Sequence, residues 1–400
     1  MATLDDWKWL TGAEGLACWE RLAGKTWETV ALLAWLREKE GLSRERASLV
    51  AHQYVLRQRG REKFPTAEEM FFTPVGLEQA TDAWVAAYKA SRFPEGVPAA
   101  DVCCGVGGDL LALARRGEVC GIERDAATAW VAQANLKDRG TVLPIDAEAF
   151  LERFSADAFP CLHIDPDRRP EGFRSTRWAF FAPSRKIVEQ LLENRRCAAV
   201  KLAPGSELPN EWEKRGVEWE WIGRKRQCRQ LVAWLGTDFA GKGGRYRATL
   251  VDSESGAVLR TFCGTPGVPI PAATTWGTYL FDVDSTFLAA GLEGSLAQTH
   301  HLHAVFPGSV YLTGNTPLDD PALSCFEILE VLPLDKKQVR KRVAHHGWGT
   351  LEIKKRGKTP LPEEVRKWFS LPPSPSSGTL FLVPSPKQIW AVLTRKNDHD

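Results

Sequence analysis

A glycine-rich turn between a strand and a helix is the feature that most constrains how this chain folds. The run Asp101–Cys104 indicates a buried strand, Gly105–Asp109 a turn, and Leu110–Arg116 carries good helix formers. Glycines let the backbone pass close beneath a ligand, and the free N–H groups at the start of the helix point toward it. The pattern predicts a ligand site, although a turn that merely joins strand to helix can have the same glycines.

The charges around this turn favour a cationic ligand. A second apolar strand, Val119–Ile122, ends at Glu123, eighteen positions after the first glycine, where a carboxylate can accept hydrogen bonds from ribose hydroxyls. The last glycine of the dinucleotide pattern G-x-G-x-x-G is missing, because Leu110 stands there, and Asp101 and Asp109 would repel a pyrophosphate. S-adenosylmethionine, which carries a sulfonium and an ammonium, suits this loop better.

The segment Asp101–Asp109 resembles the first motif of the class I S-adenosylmethionine-dependent methyltransferases, and Glu123 resembles their ribose-binding acid. The resemblance implies S-adenosylmethionine as the cofactor. It also implies that Asp146 contacts the adenine amino group, and this residue can equally cap the helix that begins at Ala147. The cofactor-binding residues expected from the resemblance are Asp101, Cys103, Gly105, Gly107, Asp109, Glu123, Arg124 and Asp146.

A second motif follows the fourth predicted strand, Cys161–Ile164, in the run Asp165–Pro170. A carboxylate at a strand end, next to a proline with a free carbonyl, can hold an acceptor against a methyl donor. Amino methyltransferases of nucleic acids have Asp/Asn-Pro-Pro-aromatic here, whereas Asp167 and Arg168 replace the second proline and the aromatic residue. A guanidinium can stack on a base or bind a phosphate, so a nucleic-acid acceptor remains possible. The expected catalytic residues are Asp165, Pro166 and Arg168, with Arg169 and Lys201 as contacts to the acceptor.

The run from Lys63 to Gly236 resembles a bacterial family of S-adenosylmethionine-dependent methyltransferases that has a D-P-x-R-R motif and a C-terminal THUMP-like domain. Further matching segments are Phe64-Pro65, Gly76–Thr81, Pro183-Ser184 and Val200–Gly205. The resemblance implies a cofactor more securely than a substrate.

The predicted fold class is α/β, because strands alternate with helices from Ala99 onward, as a parallel sheet requires. We expect a Rossmann-like class I methyltransferase sheet, mostly parallel with an antiparallel last strand, between an N-terminal helical region and a C-terminal α+β THUMP-like domain. The expected regions are 1–70 (helical), 71–238 (methyltransferase), 239–324 (β-rich connecting segment) and 325–400 (THUMP-like).

The C-terminal region is basic. The segment from Cys325 to Lys396 holds fourteen Lys and Arg against six Asp and Glu, a balance of +8, whereas the whole chain carries only +2. THUMP domains bind RNA, so the resemblance gives phosphate contacts to Lys354, Lys355 and Arg356. A solvated basic face without a partner is the alternative.

Other sequence features exclude several classes of protein. The N-terminal residues do not resemble a secretion signal, and no apolar run approaches the ~18 residues of a membrane span, so we expect a cytoplasmic protein. The nine cysteines form no C-x-x-C pair and read as free thiols, and the histidine clusters lack ligands at metal spacing, so no metal is expected.

These observations favour a methyltransferase that acts on RNA. One alternative is a methyltransferase for a small molecule or a protein, with the basic module used for assembly. Another is an RNA-binding scaffold that keeps the fold without turnover. RNA binding that weakens steeply with salt would count against the first alternative, and methyl transfer to RNA would exclude the second.

Overall fold

A computed structural model describes residues 2–22, 24–167, 181–239 and 245–396. The chain divides into two compact units. The first comprises Met1–Arg224, Gln230–Gly244 and Val251–Val258, and the second comprises Lys225–Arg229, Arg245–Leu250 and Leu259–Asp400.

The first unit begins with a helical region, as the sequence predicted. Its helices are α1 (Leu4–Thr11), α2 (Ala13–Leu22), α3 (Thr29–Glu38), α4 (Arg44–Gly60), α5 (Pro74–Gln79) and α6 (Ala83–Ser91). Polar caps fix where several of them start: Ser43 accepts from the N–H of Arg46, and Asp82 accepts from that of Val85. Buried side chains of α1 to α5, among them Leu36 and Val50, form one hydrophobic cluster that includes Val106 of the glycine turn, whereas those of α6, such as Val85, belong to a second cluster.

A sheet with flanking helices follows. Its strands are β1 (Ala99–Val102), β2 (Val119–Ile122), β3 (Thr141–Leu143), β4 (Cys161–Ile164), β5 (Cys197–Leu202), β6 (Glu218–Arg224) and β7 (Gln227–Leu235). The helices are α7 (Gly108–Leu113), α8 (Ala126–Leu136), α9 (Ala147–Arg153), α10 (Arg185–Leu191) and α11 (Asn210–Lys214).

The strand order in this part of the sheet is β3-β2-β1-β4-β5-β7-β6. β1 pairs in parallel with β2 and with β4, β5 continues the parallel sheet beside β4, and β7 runs antiparallel to β5. The mostly parallel sheet with an antiparallel finish is therefore confirmed. The order reverses between β1 and β4, and the carboxyl ends of strands at such a reversal are where open α/β sheets bind ligands.

Arg92, at the end of α6, ties that helix to the sheet. Its guanidinium contacts Glu218 and lies 2.5 Å from Glu220 on β6, and it lies 4.4 Å from the ring centroid of Trp234 on β7. Glu220 also accepts hydrogen bonds from Tyr88 and Trp234, at 2.5 and 2.8 Å. Both glutamates are fully buried, so the guanidinium of Arg92 offsets part of the cost of burying their charges.

The second unit contains β8 (Arg245–Val251), β9 (Val258–Gly264), β10 (Tyr279–Val283), α12 (Ser285–Ala289), α13 (Glu293–Thr299), β11 (His303–Ala304), β12 (Tyr311–Gly314), β13 (Leu323–Pro333), α14 (Lys336–His346), β14 (Thr350–Lys355), α15 (Pro362–Arg366), β15 (Ser377–Pro384) and β16 (Ile389–Lys396). A seven-stranded sheet has the order β11-β12-β10-β13-β16-β15-β14, with β14 and β15 parallel and the other pairs antiparallel.

Helix α14 packs on this second unit by one narrow face. Asp335 caps its start by accepting from the N–H of Gln338 at 2.8 Å, and Gly347 ends it at a φ of 64°. Val339 and Val343, four residues apart, are buried, so the remaining faces of the helix carry its basic side chains.

Replacing Arg92 should reveal how much the first unit depends on its ionic cluster. In Arg92→Met a cation that faces both Glu218 and Glu220 is lost while the carboxylates stay buried, so we expect the free energy of unfolding to fall by about 3 to 5 kcal/mol. Urea denaturation followed by circular dichroism measures this change. The matched control is Arg61→Met, which removes an exposed pair with Glu68 and should cost less than about 1 kcal/mol. Equal effects of the two variants would contradict the structural role assigned to Arg92.

Candidate cofactor and acceptor site

The turn after β1 keeps an open face toward solvent and a closed face toward the protein. Cys103, Gly105 and Gly107 have φ values of 63°, 56° and 94°, in the left-handed region that favours glycine. A Cβ added to Gly105 would meet no described atom within 4 Å, whereas one added to Gly108 would lie 2.8 Å from the carbonyl oxygen of Thr81. The loop can therefore accept a ligand at Gly105 while Gly108 lets α7 pack closely.

Glu123 lies beside this open face, where the sequence predicted it. Its carboxylate accepts from the backbone N–H of Gly105 at 3.1 Å and from that of Asp125 at 3.0 Å. Burial raises the pKa of Glu123, and these two N–H groups oppose the shift. A carboxylate fixed at the end of β2 is positioned to accept hydrogen bonds from the hydroxyls of a ribose.

Arg124 and Asp146 lie on the flanks of the same edge. The Arg124 guanidinium is 3.7 Å from the carboxylate of Asp167, so the loops after β2 and β4 approach each other. Asp146 follows β3, is exposed, and accepts from the N–H of Ala149 at 2.8 Å. The helix-cap role of Asp146 is thus present, and its contact with adenine stays a prediction.

The motif after β4 lies against the end of β5. Asp165 keeps the parallel register by donating its backbone N–H to the carbonyl of Val102 at 3.1 Å, and its carboxylate forms a 2.5 Å ion pair with Lys201. Lys201 also donates to the carbonyl of Gln79 at 3.3 Å. Pro166 is buried. An acidic and a basic group therefore face each other at the carboxyl edge of the sheet.

The remaining residues of this motif are described only in part. Asp167 exchanges two backbone hydrogen bonds with Ala182, at 2.8 and 2.9 Å. Arg168 and Arg169, predicted as acceptor contacts, lie outside the described residues. The pKa of the Cys103 thiol is raised well above its usual range by burial, and the nearby carboxylates of Glu123 and Asp165 add to the shift. Cys103 is thus a neutral group at this edge.

Asp101 and Asp109 lie beneath the turn, in a buried polar cluster. Asp101 is 1% exposed and lies 2.7 Å from Nδ1 of His163, its register partner on β4. Asp109 is 2.7 Å from the ammonium of Lys89 and accepts from the hydroxyl of Thr81 at 2.6 Å. Nζ of Lys89 lies 3.1 Å from Nε2 of His163, so the two aspartates are joined through that pair.

The two buried aspartates differ in how readily they ionise. Burial raises the pKa of Asp101, with His163 opposing the shift. Burial acts the same way on Asp109, yet Lys89 and His163 outweigh it and the pKa of Asp109 lies well below its usual range. Burial also lowers the pKa of Lys89, with Asp109 opposing. Asp109 and Lys89 therefore form a buried ion pair, and Asp101 faces the imidazole of His163.

The local sequence pattern does not identify His163 and Lys89 as residues of the site. Each stands inside an apolar element, in the strand Cys-Leu-His-Ile and the helix around Tyr88, and each is 1% exposed. A titratable residue inside a run that is otherwise apolar is the signal that could have identified both, because such groups are rarely buried without partners.

The predicted RNA contacts on β14 are engaged within the second unit. The Arg356 guanidinium is 2.7 Å from Asp282, and Nζ of Lys354 is 3.5 Å from the same carboxylate. Nζ of Lys355 donates to the carbonyl of Thr359 at 3.0 Å. A phosphate would have to compete with these contacts.

Helix α14 presents a different set of basic groups. Its exposed cations are Lys336, Lys337, Arg340 and Lys341, which line an open depression of about 540 Å³ with Asp335 and Ala344. Arg342 on the same helix instead pairs with Glu330 on β13. We call the four exposed cations the α14 basic face.

In residues 2–22, 24–167, 181–239 and 245–396, no helix is long and apolar enough to cross a membrane. The same parts of the chain hold no group of three or more His, Cys, Asp or Glu that could bind a metal ion.

Comparison with known proteins identifies the family. Two proteins from strains CDC 1551 and H37Rv of Mycobacterium tuberculosis, each named an uncharacterized S-adenosylmethionine-dependent methyltransferase, are 30% identical to this chain over 340 residues. The match covers 82% of this chain and 90% of each relative. The chain belongs to the S-adenosylmethionine-dependent methyltransferases. This methyltransferase is therefore an enzyme with S-adenosylmethionine as its cofactor, as the sequence predicted.

Two further comparisons concern its domains and fold. The family model "THUMP domain-like" matches residues 323–396. The crystal structure of a proposed methyltransferase from Porphyromonas gingivalis W83 superposes with a TM-score of 0.74 at 19% identity, over 99% of this chain and 98% of that chain. The methyltransferase-like α/β fold, with its helical N-terminal region and C-terminal THUMP-like domain, is thus confirmed.

Proposed function

We propose that this methyltransferase modifies RNA and belongs to the bacterial family with the D-P-x-R-R motif. The observation that supports the RNA substrate best is that the THUMP-like match, residues 323–396, contains the α14 basic face. Four exposed cations on adjacent turns of one helix suit a phosphate backbone. We assign the catalytic methyltransferase domain to residues 71–238 as part of this proposal.

The residues around the turn after β1 fit S-adenosylmethionine. The space over Gly105 is open to a ligand, Glu123 would accept hydrogen bonds from the ribose hydroxyls, and Asp146, on the flank of the same edge, would contact the adenine. Asp101 supplies negative charge beneath the turn for the amino-acid half of the cofactor. Asp109 contacts Lys89 and Thr81 beneath the turn, so it would contribute to cofactor binding indirectly.

The remaining predicted cofactor residues shape the loop. Cys103 and Gly107 hold the backbone in the left-handed region, and Arg124 links the loop after β2 to Asp167. Together they fix the opening through which the cofactor enters.

Asp165 is our candidate for positioning the acceptor. When bound, S-adenosylmethionine supplies a methyl group already activated on its sulfonium, so the protein accelerates transfer chiefly by holding the acceptor in line. The carboxylate of Asp165 can accept a hydrogen bond from the acceptor group, and Lys201 keeps that carboxylate in place. Pro166 fixes the backbone after Asp165, and Arg168 and Arg169 would contact the base or its phosphate.

RNA would bind mainly through the α14 basic face. Lys354 and Arg356, the residues first expected to bind phosphate, share Asp282 within the protein, so they support the sheet that carries α14. Lys355 donates to a backbone carbonyl and adds positive charge near the same sheet.

Removing the charge of Asp165 should separate methyl transfer from cofactor binding. In Asp165→Asn we expect transfer of labelled methyl to RNA to fall on the order of a hundredfold, because the acceptor loses its orienting carboxylate. The dissociation constant for S-adenosylmethionine, measured by calorimetry, should change little. Asp157→Asn, at an exposed carboxylate before β4, is the control and should leave both quantities unchanged. Loss of cofactor binding together with transfer in Asp165→Asn would indicate a structural residue instead.

The role of α14 can be tested by the salt dependence of RNA binding. In Lys337→Gln/Lys341→Gln the affinity for a mixed-sequence RNA should fall, and the slope of log affinity against log salt should decrease by roughly 1 to 2, since each phosphate contact contributes about 0.7 to 0.9. Arg366→Gln/Lys367→Gln removes two exposed charges from α15 in the same domain and should have a smaller effect. Equal losses in the two double variants would show that α14 contributes only diffuse charge.

A further inference from the structure

The buried cluster beneath the turn connects four elements of the first unit. Thr81 lies just before α6, Lys89 on α6, Asp109 on α7, His163 on β4 and Asp101 on β1. Each of these five side chains is at most 7% exposed. Buried polar groups of this kind are costly unless each finds its partner, so their arrangement is constrained.

The contacts in this cluster run from Thr81 and Lys89 toward Asp101. Thr81 donates to Asp109, whose carboxylate lies 2.7 Å from the Lys89 ammonium, and Nζ of Lys89 lies 3.1 Å from Nε2 of His163. The ammonium form of Lys89 only donates, so Nε2 is its acceptor and the ring proton that faces Asp101 lies on Nδ1. Nδ1 lies 2.7 Å from Asp101 and donates to its Oδ1. The chain of donors therefore ends at Asp101.

One oxygen of the Asp101 carboxylate is left without a partner. Lys89 and Asp109 form an ion pair at 2.7 Å, and Asp101 faces the imidazole of His163 through Oδ1. Its second oxygen, Oδ2, is buried and has no hydrogen-bond partner among the residues that the structure describes. A carboxylate oxygen of this kind is an acceptor that a ligand ammonium group can satisfy.

We propose that His163 is a positioning residue for cofactor binding: it holds Asp101 so that Oδ2 accepts from the α-ammonium group of S-adenosylmethionine. Lys89 and Asp109 act indirectly, because they fix which ring nitrogen of His163 carries the proton. The proposal rests on the cofactor site described above and names the part of the ligand that this cluster recognises.

Two product-like probes separate this role from a general effect on the fold. S-adenosylhomocysteine keeps the adenosine, the α-ammonium and the carboxylate, whereas 5′-methylthioadenosine lacks the amino-acid half. A residue that acts on the ammonium through Asp101 affects only the first probe. A residue that merely supports the fold affects both probes alike.

Two variants of His163 distinguish the roles of its ring nitrogens Nδ1 and Nε2. In His163→Asn the side-chain amide can take the place of Nδ1 and still donate to Asp101, whereas in His163→Gln the amide takes the place of Nε2. Arg195→Met is the stability control: Arg195 is 3% exposed and donates to the carbonyls of Phe159 and Leu191, next to the starts of β4 and β5 and away from their carboxyl ends. The full-length protein is titrated calorimetrically with each probe.

We expect His163→Gln to weaken S-adenosylhomocysteine binding about tenfold or more, as the loss of one charge-assisted hydrogen bond implies, with less than about a twofold change for 5′-methylthioadenosine. His163→Asn should retain most of the wild-type preference for S-adenosylhomocysteine, and Arg195→Met should retain all of it. If His163→Gln keeps the wild-type preference, or weakens both probes equally, His163 does not position Asp101. If the wild-type protein binds neither S-adenosylmethionine nor S-adenosylhomocysteine, the result contradicts both the proposed cofactor site and the proposed role of His163.

Discussion

The parallel pairing of β1 with β2 on one side and β4 on the other is the constraint on which the proposed site depends. It brings the residues that follow these strands, Cys103, Glu123 and Asp165, to one edge of the sheet, although they are far apart in sequence. The same register places His163 opposite Asp101 inside the sheet. The parallel strand pairing thus positions both the residues at the open edge of the sheet and the buried pair of His163 and Asp101.

The electrostatics of this edge explain why a cationic cofactor suits it. Asp109 pairs with Lys89, and Asp165 pairs with Lys201, so the carboxylates that a cationic cofactor could meet include Asp101 and Glu123. Burial raises the pKa of both carboxyl groups, which means that their ionised forms are less stable in the free protein than they would be in water. A ligand that offers an ammonium and hydroxyl donors stabilises those ionised forms.

Sequence alone predicted the parts of this account that local patterns encode. The glycine turn, the acid at the end of β2 and the acid at the end of β4 are visible because each follows an apolar strand. His163 was not visible, since its partner is defined by strand register rather than by spacing. The charge count likewise revealed a basic C-terminal domain, but it could not show that Asp282, more than seventy residues away, neutralises Arg356. The basic run Lys336–Arg342 is visible in the sequence, and the structure adds which of its cations remain exposed.

Calorimetric titration with S-adenosylmethionine of the wild-type protein and of Glu123→Ala tests the central claim most directly. The account predicts micromolar binding to the wild-type protein and a loss of about tenfold or more in the variant, because the ribose loses a charged acceptor. Wild-type binding that survives unchanged in Glu123→Ala would place the cofactor elsewhere. Absence of binding to the wild-type protein would contradict the cofactor site itself.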